Sequence, residues 1–253
     1  MSTLDLGLIG NCSISVLIDK QARIVWWCLP RYDGDPVFHA LLGSRSGDPA
    51  DGAFTIEIEG QVRTEQSYVT NTAILSTRIY AEDGTAVEVI DHAPRFEARG
   101  RTFRPAQFVR QIRPLVGRPR IRIKIRPVFG WARSLPEITS GSNHIRYVGD
   151  GVALRMTTNA PVTYIRDETW FQLDRELALF LGPDETLTDH PVKIAHTFVE
   201  NTETYWRGWS RRLGLPLEWQ DAVIRAAITL KMCTFEETGA IVAAITTSIP
   251  EAA

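Results

Sequence analysis

Residues 73–92 read AILSTRIYAEDGTAVEVIDH. Two short runs, AILSTRIYA and TAVEVIDH, are separated by Glu82-Asp83-Gly84. An Asp-Gly pair between such runs predicts a tight antiparallel hairpin. The same grammar extends in both directions. Upstream, SISVLID (13–19) and RIVWWCL (23–29) flank Lys20-Gln21-Ala22 as a second hairpin, and AFTIEIEG (53–60) alternates Phe54, Ile56 and Ile58 with polar neighbours. Downstream come AQFVRQIRPL, RIRIKIRPVF, HIRYVGD, VALRMTT, VTYIRDE, TWFQLD and ELALFLG, punctuated by Gly, Pro and Asn. About a dozen short strands with turn signals between them predict a mainly β chain built as a large antiparallel sandwich, rather than a βαβ protein.

After Gly182-Pro183 the apolar period changes. In FVENTETYWRGWSRRLGL (198–215), Val199, Thr202, Trp206, Trp209 and Leu213 fall at helical spacing, and Gly214 with Pro216 closes the segment. A further helix begins near Leu217. The expected division is a β-sandwich over 1–182, a linker with a helix over 183–216, and a helical segment over 217–253. The last helix is apolar on two sides. At about 100° per residue, Trp219, Val223, Ala226, Ala227, Leu230 and Cys233 fill one face, and Ile224, Ile228 and Met232 the other. Such a helix needs neighbours on both sides. The sandwich or the preceding helix supplies one, and Ile224, Ile228 and Met232 are expected to form the exposed face, a seat for further helices or a route to homo-oligomers.

Composition narrows the function classes. The 253 residues are 44% hydrophobic and 23% charged with a net charge of -2, so no global field favours nucleic acid or an anionic membrane. The N-terminus lacks a basic region followed by a continuous apolar run, and no apolar run approaches the roughly 20 residues that span a bilayer. Cys12, Cys28 and Cys233 are odd in number and scattered, against a disulfide framework or a zinc ribbon, and a cytoplasmic chain is expected. There is no H-E-x-x-H helix, P-loop, G-x-G-x-x-G turn or G-x-S-x-G elbow, so no metal or cofactor is expected.

Glycosidase chemistry needs two carboxylates facing each other across a sugar. Asp33 with Asp35 in RYDGDP reads more simply as a turn, and Glu236 with Glu237 in FEETG as a helix end. No catalytic residue is assigned. Asp91-His92 reads as a hydrogen-bonded strand end rather than a metal pair. In PRIRIKIRP, Arg120, Arg122, Lys124 and Arg126 share one face, a phosphate strip or, more simply, a solvated strand face. The stretch IVWWCLPRYDGDPVF places Trp26 and Trp27 on opposite sides of a strand, with Arg31 and Asp33 just beyond. Aromatic, Arg and Asp together suit a sugar-binding edge, and they suit an interdomain contact better.

Four separated stretches carry a resemblance: LIGNCSISVLID, RIVWWCLPRYDGDPVFHALL, TNTAILSTRIYAEDGTAVEVIDHAP and TGAIVAAITTSIPE. In this order they resemble the N-terminal region of bacterial glycoside hydrolase family 15 proteins, which include glucoamylases, glucodextranases and a trehalase branch. The resemblance implies an N-terminal β super-sandwich, a helical linker and an (α/α)6 barrel that hydrolyses α-glucosidic bonds with inversion, using two glutamates. In that family a TTSIPE-like segment leads into a glucose-pocket motif, with both catalytic glutamates further on, so none maps onto this chain. Ile245 stands where the family usually has proline. The implied role is a non-catalytic N-terminal domain followed by the start of a truncated barrel. Its implied partner is the barrel of the same protein, and the substrate of the whole enzyme is an α-glucan or trehalose. Two rivals are a stand-alone carbohydrate-binding module and an interaction protein that uses its terminal helix.

Overall fold

The computed structural model describes residues 5–43, 47–48, 50–131 and 134–249; Pro250 and Glu251 of the ITTSIPE motif lie outside them. Two antiparallel sheets dominate. Across the first sheet run Gly7–Gly10, Ser15–Ile18, Ile24–Cys28, Phe54–Ile58, Arg120–Ile125 and Phe171–Gln172, with Pro36–Phe38 also paired to Ile24–Cys28. Across the second run Glu137–Ser140, His144–Gly149, Val152–Thr158, Leu177–Pro183, Phe108–Val116, Ala86–His92, Leu75–Ala81 and Gln61–Tyr68. The sandwich read from the sequence is the observed architecture. In the hairpin of residues 73–92, Gly84 takes φ 81°, a left-handed conformation that glycine adopts without strain, and Leu75 lies opposite Asp91.

The core lies between the sheets because each strand alternates. Ile121, Ile123 and Ile125 point inward with Ile56, Val87, Val89 and Ile112. At its centre Trp27 meets Phe108 edge-to-face at 4.9 Å, with Phe38 and Phe54 around them. Arg110 and Asp91 are fully buried beside these rings, paired through two hydrogen bonds of 2.7 and 2.9 Å. The Arg110 guanidinium lies 4.5 Å from the Phe54 centroid. The Asp91 carboxylate is thus committed to arginine. His92 is buried too, and among the described residues neither of its ring nitrogens has a hydrogen-bond partner.

The outward cations of Arg120–Ile125 meet acids at each position. Arg120 pairs with Glu59 at 2.9 Å, Arg122 and Lys124 with Glu57 at 2.5 and 2.7 Å, and Arg126 with Glu168 at 2.7 Å. A strip whose charges are matched by cross-strand carboxylates is a salt-bridged sheet face, without the uncompensated charge that phosphate binding needs.

Among the described residues three α-helices complete the fold: α1 (Val162–Arg166), α2 (Pro191–Ser210) and α3 (Gln220–Met232). The first corrects the reading of VTYIRDE as a strand. Val162 and Ile165 are its buried residues, a three-residue spacing that one helical turn satisfies and strand alternation does not. In α2 the helix starts before the 198–215 segment, because Pro191 suits the first helical position. FEETG is likewise no helix end. The chain leaves α3 at Met232 and forms a small hairpin, Thr234–Phe235 against Ala240–Ile241, turned by Gly239 at φ 75°.

The expectation for α3 is overturned. Ile224, Ile228 and Met232 are its buried residues, while Leu230 is 65% exposed and Trp219 79%. Both stripes have helical periodicity, so the pattern alone could not rank them. The three buried side chains sit four residues apart and form a single ridge of long apolar groups. That ridge clusters with Leu8, Trp26, Ala73 and Trp206, whereas the opposite side offers the smaller Ala222 and Ala226 along much of its length.

Candidate functional site

Of the residues singled out in the sequence, Trp26, Ile224, Ile228 and Met232 meet at a seam between the outer face of the first sheet and the C-terminal helices, with Arg31 and Asp33 at its rim. A bulge sets it up. Leu17 pairs with Trp26 and Ile18 with Ile24, so Val25 is extra and the alternation resets. Trp27 consequently enters the sandwich core, and Trp26 and Cys28 face outward, into a second cluster with Leu8, Trp206, Ile224, Ile228, Met232 and Ile245. Both indoles are fully buried, so neither offers a ring face to a sugar.

Polar contacts stitch the seam. The Trp26 indole N–H donates to the Ile245 carbonyl at 3.2 Å, and Cys28 Sγ lies 3.3 Å from Ser248 Oγ. Met232 ends α3 with a carbonyl that accepts from the Tyr32 hydroxyl at 2.9 Å and from Ser15 Oγ at 3.3 Å. Those contacts satisfy an orphan carbonyl of the helix end. One residue earlier, Cys12 Sγ donates to the Lys231 carbonyl at 3.2 Å. Near the middle of the helix, Arg225 donates to the Thr72 carbonyl at 2.8 Å, its guanidinium 3.9 Å from the Tyr68 ring centroid.

Glu236 is the electrostatic hub. Its carboxylate pairs with Arg95, with Lys231 at 2.8 Å and with Arg104 at 3.2 Å. Arg95 also donates to the Asn11 carbonyl at 2.7 Å and packs 4.7 Å from the Tyr205 centroid, tying the strand edge, α2 and the terminal hairpin together. Burial alone would raise the Glu236 carboxyl, but the hydrogen bonds from Arg95 and Lys231 outweigh it and hold the group below its ordinary value. Burial pushes the Cys28 thiol up to about 11 and raises the Tyr32 hydroxyl, which leaves both protonated near neutrality.

Arg31 and Asp33 lie at the rim. They pair with each other at 2.8 and 3.0 Å with both side chains more than half exposed, and Arg31 stands 5.9 Å from the Phe235 ring centroid. Asp35 accepts from Trp131 at 2.8 Å. The carboxylates of both candidate pairs are therefore engaged: Asp33 by arginine, Asp35 by an indole, Glu236 by three cations, and Glu237 by Arg104 at 3.9 Å. Such groups fix a surface and are poorly placed to move protons. Among the described residues no group of three His, Cys, Asp or Glu side chains is arranged to hold a metal ion.

Sequence reasoning missed Tyr32, Arg95 and Arg225. Nothing in local periodicity marks them, because their partners lie 200, 141 and 153 positions away. Beyond the seam, large apolar side chains of the C-terminal segment face solvent: Leu217 (97%), Trp219, Leu230 and Ile241 (70%), with Ala222, Ala226, Ala243 and Ala244 also exposed.

The seam thus joins an antiparallel sandwich to the C-terminal helices. Residues 4–168 match the family described as trehalase-like, N-terminal, and the chain belongs to that family. It is 25% identical over 256 residues to a trehalase of Thermoplasma volcanium and 27% identical over 252 residues to trehalase 1 of Sulfolobus acidocaldarius. Those alignments cover 97% and 98% of this chain and 40% of each relative. A trehalase of Mycobacterium tuberculosis is 24% identical, over 98% of the chain and 39% of that protein. The chain thus spans about 40% of the length of the curated relatives it matches. No solved structure matches it.

Proposed function

We propose that this chain is the non-catalytic N-terminal part of a hydrolase of α-glucosidic bonds, and that its sandwich braces a helical catalytic domain of which α3 is the first helix. The observation that carries the reading is the exposure of Leu217, Trp219, Leu230 and Ile241 beside a seam that already holds α3 rigidly against the sandwich. Exposed apolar patches mark contact surfaces. Relatives named trehalases extend well beyond the matched region, which favours trehalose as the substrate of the whole protein. The resemblance to glycoside hydrolase family 15 adds inversion at the anomeric carbon. Within the chain, the boundaries near 182 and 216 separate sandwich, linker and first barrel helix. Arg31 and Asp33, at the rim of the seam, are assigned to the interdomain contact. In the isolated chain the same side chains are a route to self-association. Three free thiols, two of them buried, fit a reducing compartment, and the cytoplasm is the proposed location.

The test has two parts. The 253-residue chain, incubated with trehalose and with maltose, is expected to show no turnover. In a longer protein carrying the helical continuation, Leu230→Asp with Ile241→Asp should lower both the unfolding temperature and kcat/KM for trehalose. The same pair in the 253-residue chain should leave unfolding unchanged and reduce self-association in sedimentation. Turnover by the short chain, or a longer protein indifferent to both substitutions, overturns the reading.

A further inference from the structure

At the edge of the first sheet lies a groove of about 550 Å³ that shares no residue with the seam. The last strand of that sheet, Phe171–Gln172, forms its floor, with Phe171 opposite Ile121 and Gln172 opposite Arg120. One wall comes from α1. Because VTYIR is a helical turn and not a strand, Ile165 is buried while Tyr164 swings outward, 41% exposed, with its ring centroid 5.5 Å from that of Phe171. Trp170 lines the groove as well. The Arg122 guanidinium, itself bound to Glu57, lies 4.6 Å from the Trp170 centroid and holds the indole in place. Thr169 N donates to the Tyr164 carbonyl and Leu173 N to the Pro119 carbonyl, each at 2.8 Å, so the backbone beneath the rings is fixed.

Polar groups surround this aromatic surface and are unspent. Among the described residues, the Tyr164 hydroxyl, the Trp170 indole N–H, the Asp174 carboxylate and the Arg175 guanidinium make no hydrogen bond or ion pair. The last two stand side by side with opposite charge. An anionic ligand would meet Asp174 and a cationic one Arg175, so neither sign is selected. A neutral molecule that can both donate to the carboxylate and accept from the guanidinium satisfies both. It must also present an apolar face to the rings. Pyranosides have this combination: C–H groups on the ring faces and hydroxyls around the edge. The groove volume falls in the range of small-molecule sites, roughly 300–1,000 Å³, and suits one or two sugar rings.

We infer that this groove is a saccharide-binding site, taking a neutral mono- or disaccharide unit stacked on the neighbouring rings of Tyr164 and Phe171 with its hydroxyls on Asp174 and Arg175. It stands independently of the reading of the seam. A sugar held here remains unreacted, since Asp174 has no second carboxylate facing it among the groove residues.

Titration of the 253-residue chain with maltose, maltotriose and trehalose, followed by tryptophan fluorescence and by saturation-transfer NMR, tests this. Saturable binding is expected for at least one sugar below about 50 mM, the range of a shallow stacking site. Tyr164→Ala should weaken it at least about tenfold, and Arg175→Ala, an exposed change, about three- to tenfold. Leu230→Asp, outside the groove, should leave it unchanged. Circular dichroism confirms that each variant is folded, and the Arg175 variant keeps the test valid should removal of the Tyr164 ring disturb α1. No saturation by any of the three sugars, affinity unaltered in both groove variants, or tighter binding of inorganic phosphate than of sugar overturns the assignment.

Discussion

The Tyr32 hydroxyl donates to the Met232 carbonyl at 2.9 Å, joining a loop of the sandwich to the last residue of α3 across 200 positions of sequence. Tyr32 is buried and its ring meets Phe235 edge-to-face at 5.7 Å, so the bond is shielded from water. Tyr32→Phe keeps the ring and deletes the donor. A loss of about 1 kcal/mol is expected, or roughly 2–4 °C in unfolding temperature for a chain of this size. Because Ser15 Oγ still reaches the same carbonyl at 3.3 Å, the effect should stay near the low end. Calorimetry decides it, and an unaltered midpoint would detach Tyr32 from the stability of the seam.

The orientation of α3 predicts opposite outcomes for two aliphatic residues two positions apart. Ile228 is fully buried, and Ile228→Ala should cost about 2–5 kcal/mol through lost transfer energy and the cavity left behind. Leu230 projects into solvent, and Leu230→Ala should change stability by no more than about 0.5 kcal/mol. Urea midpoints for the pair measure the contrast. If the two costs came out reversed, the face expected from sequence would be the exposed one after all.

His92 supplies a pH dependence. Burial lowers its pKa from 6.5 to about 3, since a charged imidazolium with no partner is costly inside the protein. The unfolded chain therefore binds the proton more readily than the folded one. The stabilising contribution is complete above pH 6.5 and falls by up to about 1.4 kcal/mol per unit as the pH drops from 6.5 toward 3. Burial lowers the pKa of His39 as well, which adds a smaller effect of the same sign. Denaturant unfolding at pH 7, 6 and 5 should show His92→Leu losing less stability over that interval than the parent. Parallel losses would mean that His92 is already charged when folded, or reaches water.

The buried pair of Asp91 and Arg110 should behave non-additively. Asp91→Leu alone leaves a guanidinium stranded among Phe54 and its neighbours, Arg110→Met alone strands the carboxylate, and each should cost about 3–5 kcal/mol. The double change Asp91→Leu with Arg110→Met replaces both charges by apolar groups and should recover most of that loss. A double-mutant cycle reads the coupling directly. Simple additivity of the two single costs would falsify the claim that each charge is tolerated only because of the other.

Much of this architecture was written locally. The Asp83-Gly84 turn, the alternation of Ile121, Ile123 and Ile125, and the paired runs around Lys20-Gln21-Ala22 each depend on neighbours within a few residues, and each became the expected strand or hairpin. VTYIRDE failed because a short run of β-formers is ambiguous between one helical turn and a strand until a core claims Val162 and Ile165 together. Glu236 and Glu237 were visible as acids, but their role as anchors needed Arg95 and Arg104 from the far side of the chain.

Sequence by itself determined that this protein is an antiparallel sandwich followed by helices, and that its final helix carries apolar groups on two sides, since strand and helix periods are properties of a single segment. Only the tertiary structure decided which of those sides is hidden, that Trp26 faces the helices while Trp27 enters the core, and that Tyr164, Trp170 and Phe171 share one groove. The first two outcomes depend on a bulge at Val25 and on surfaces more than a hundred residues apart, and a periodic pattern holds no information about which distant surface it will meet.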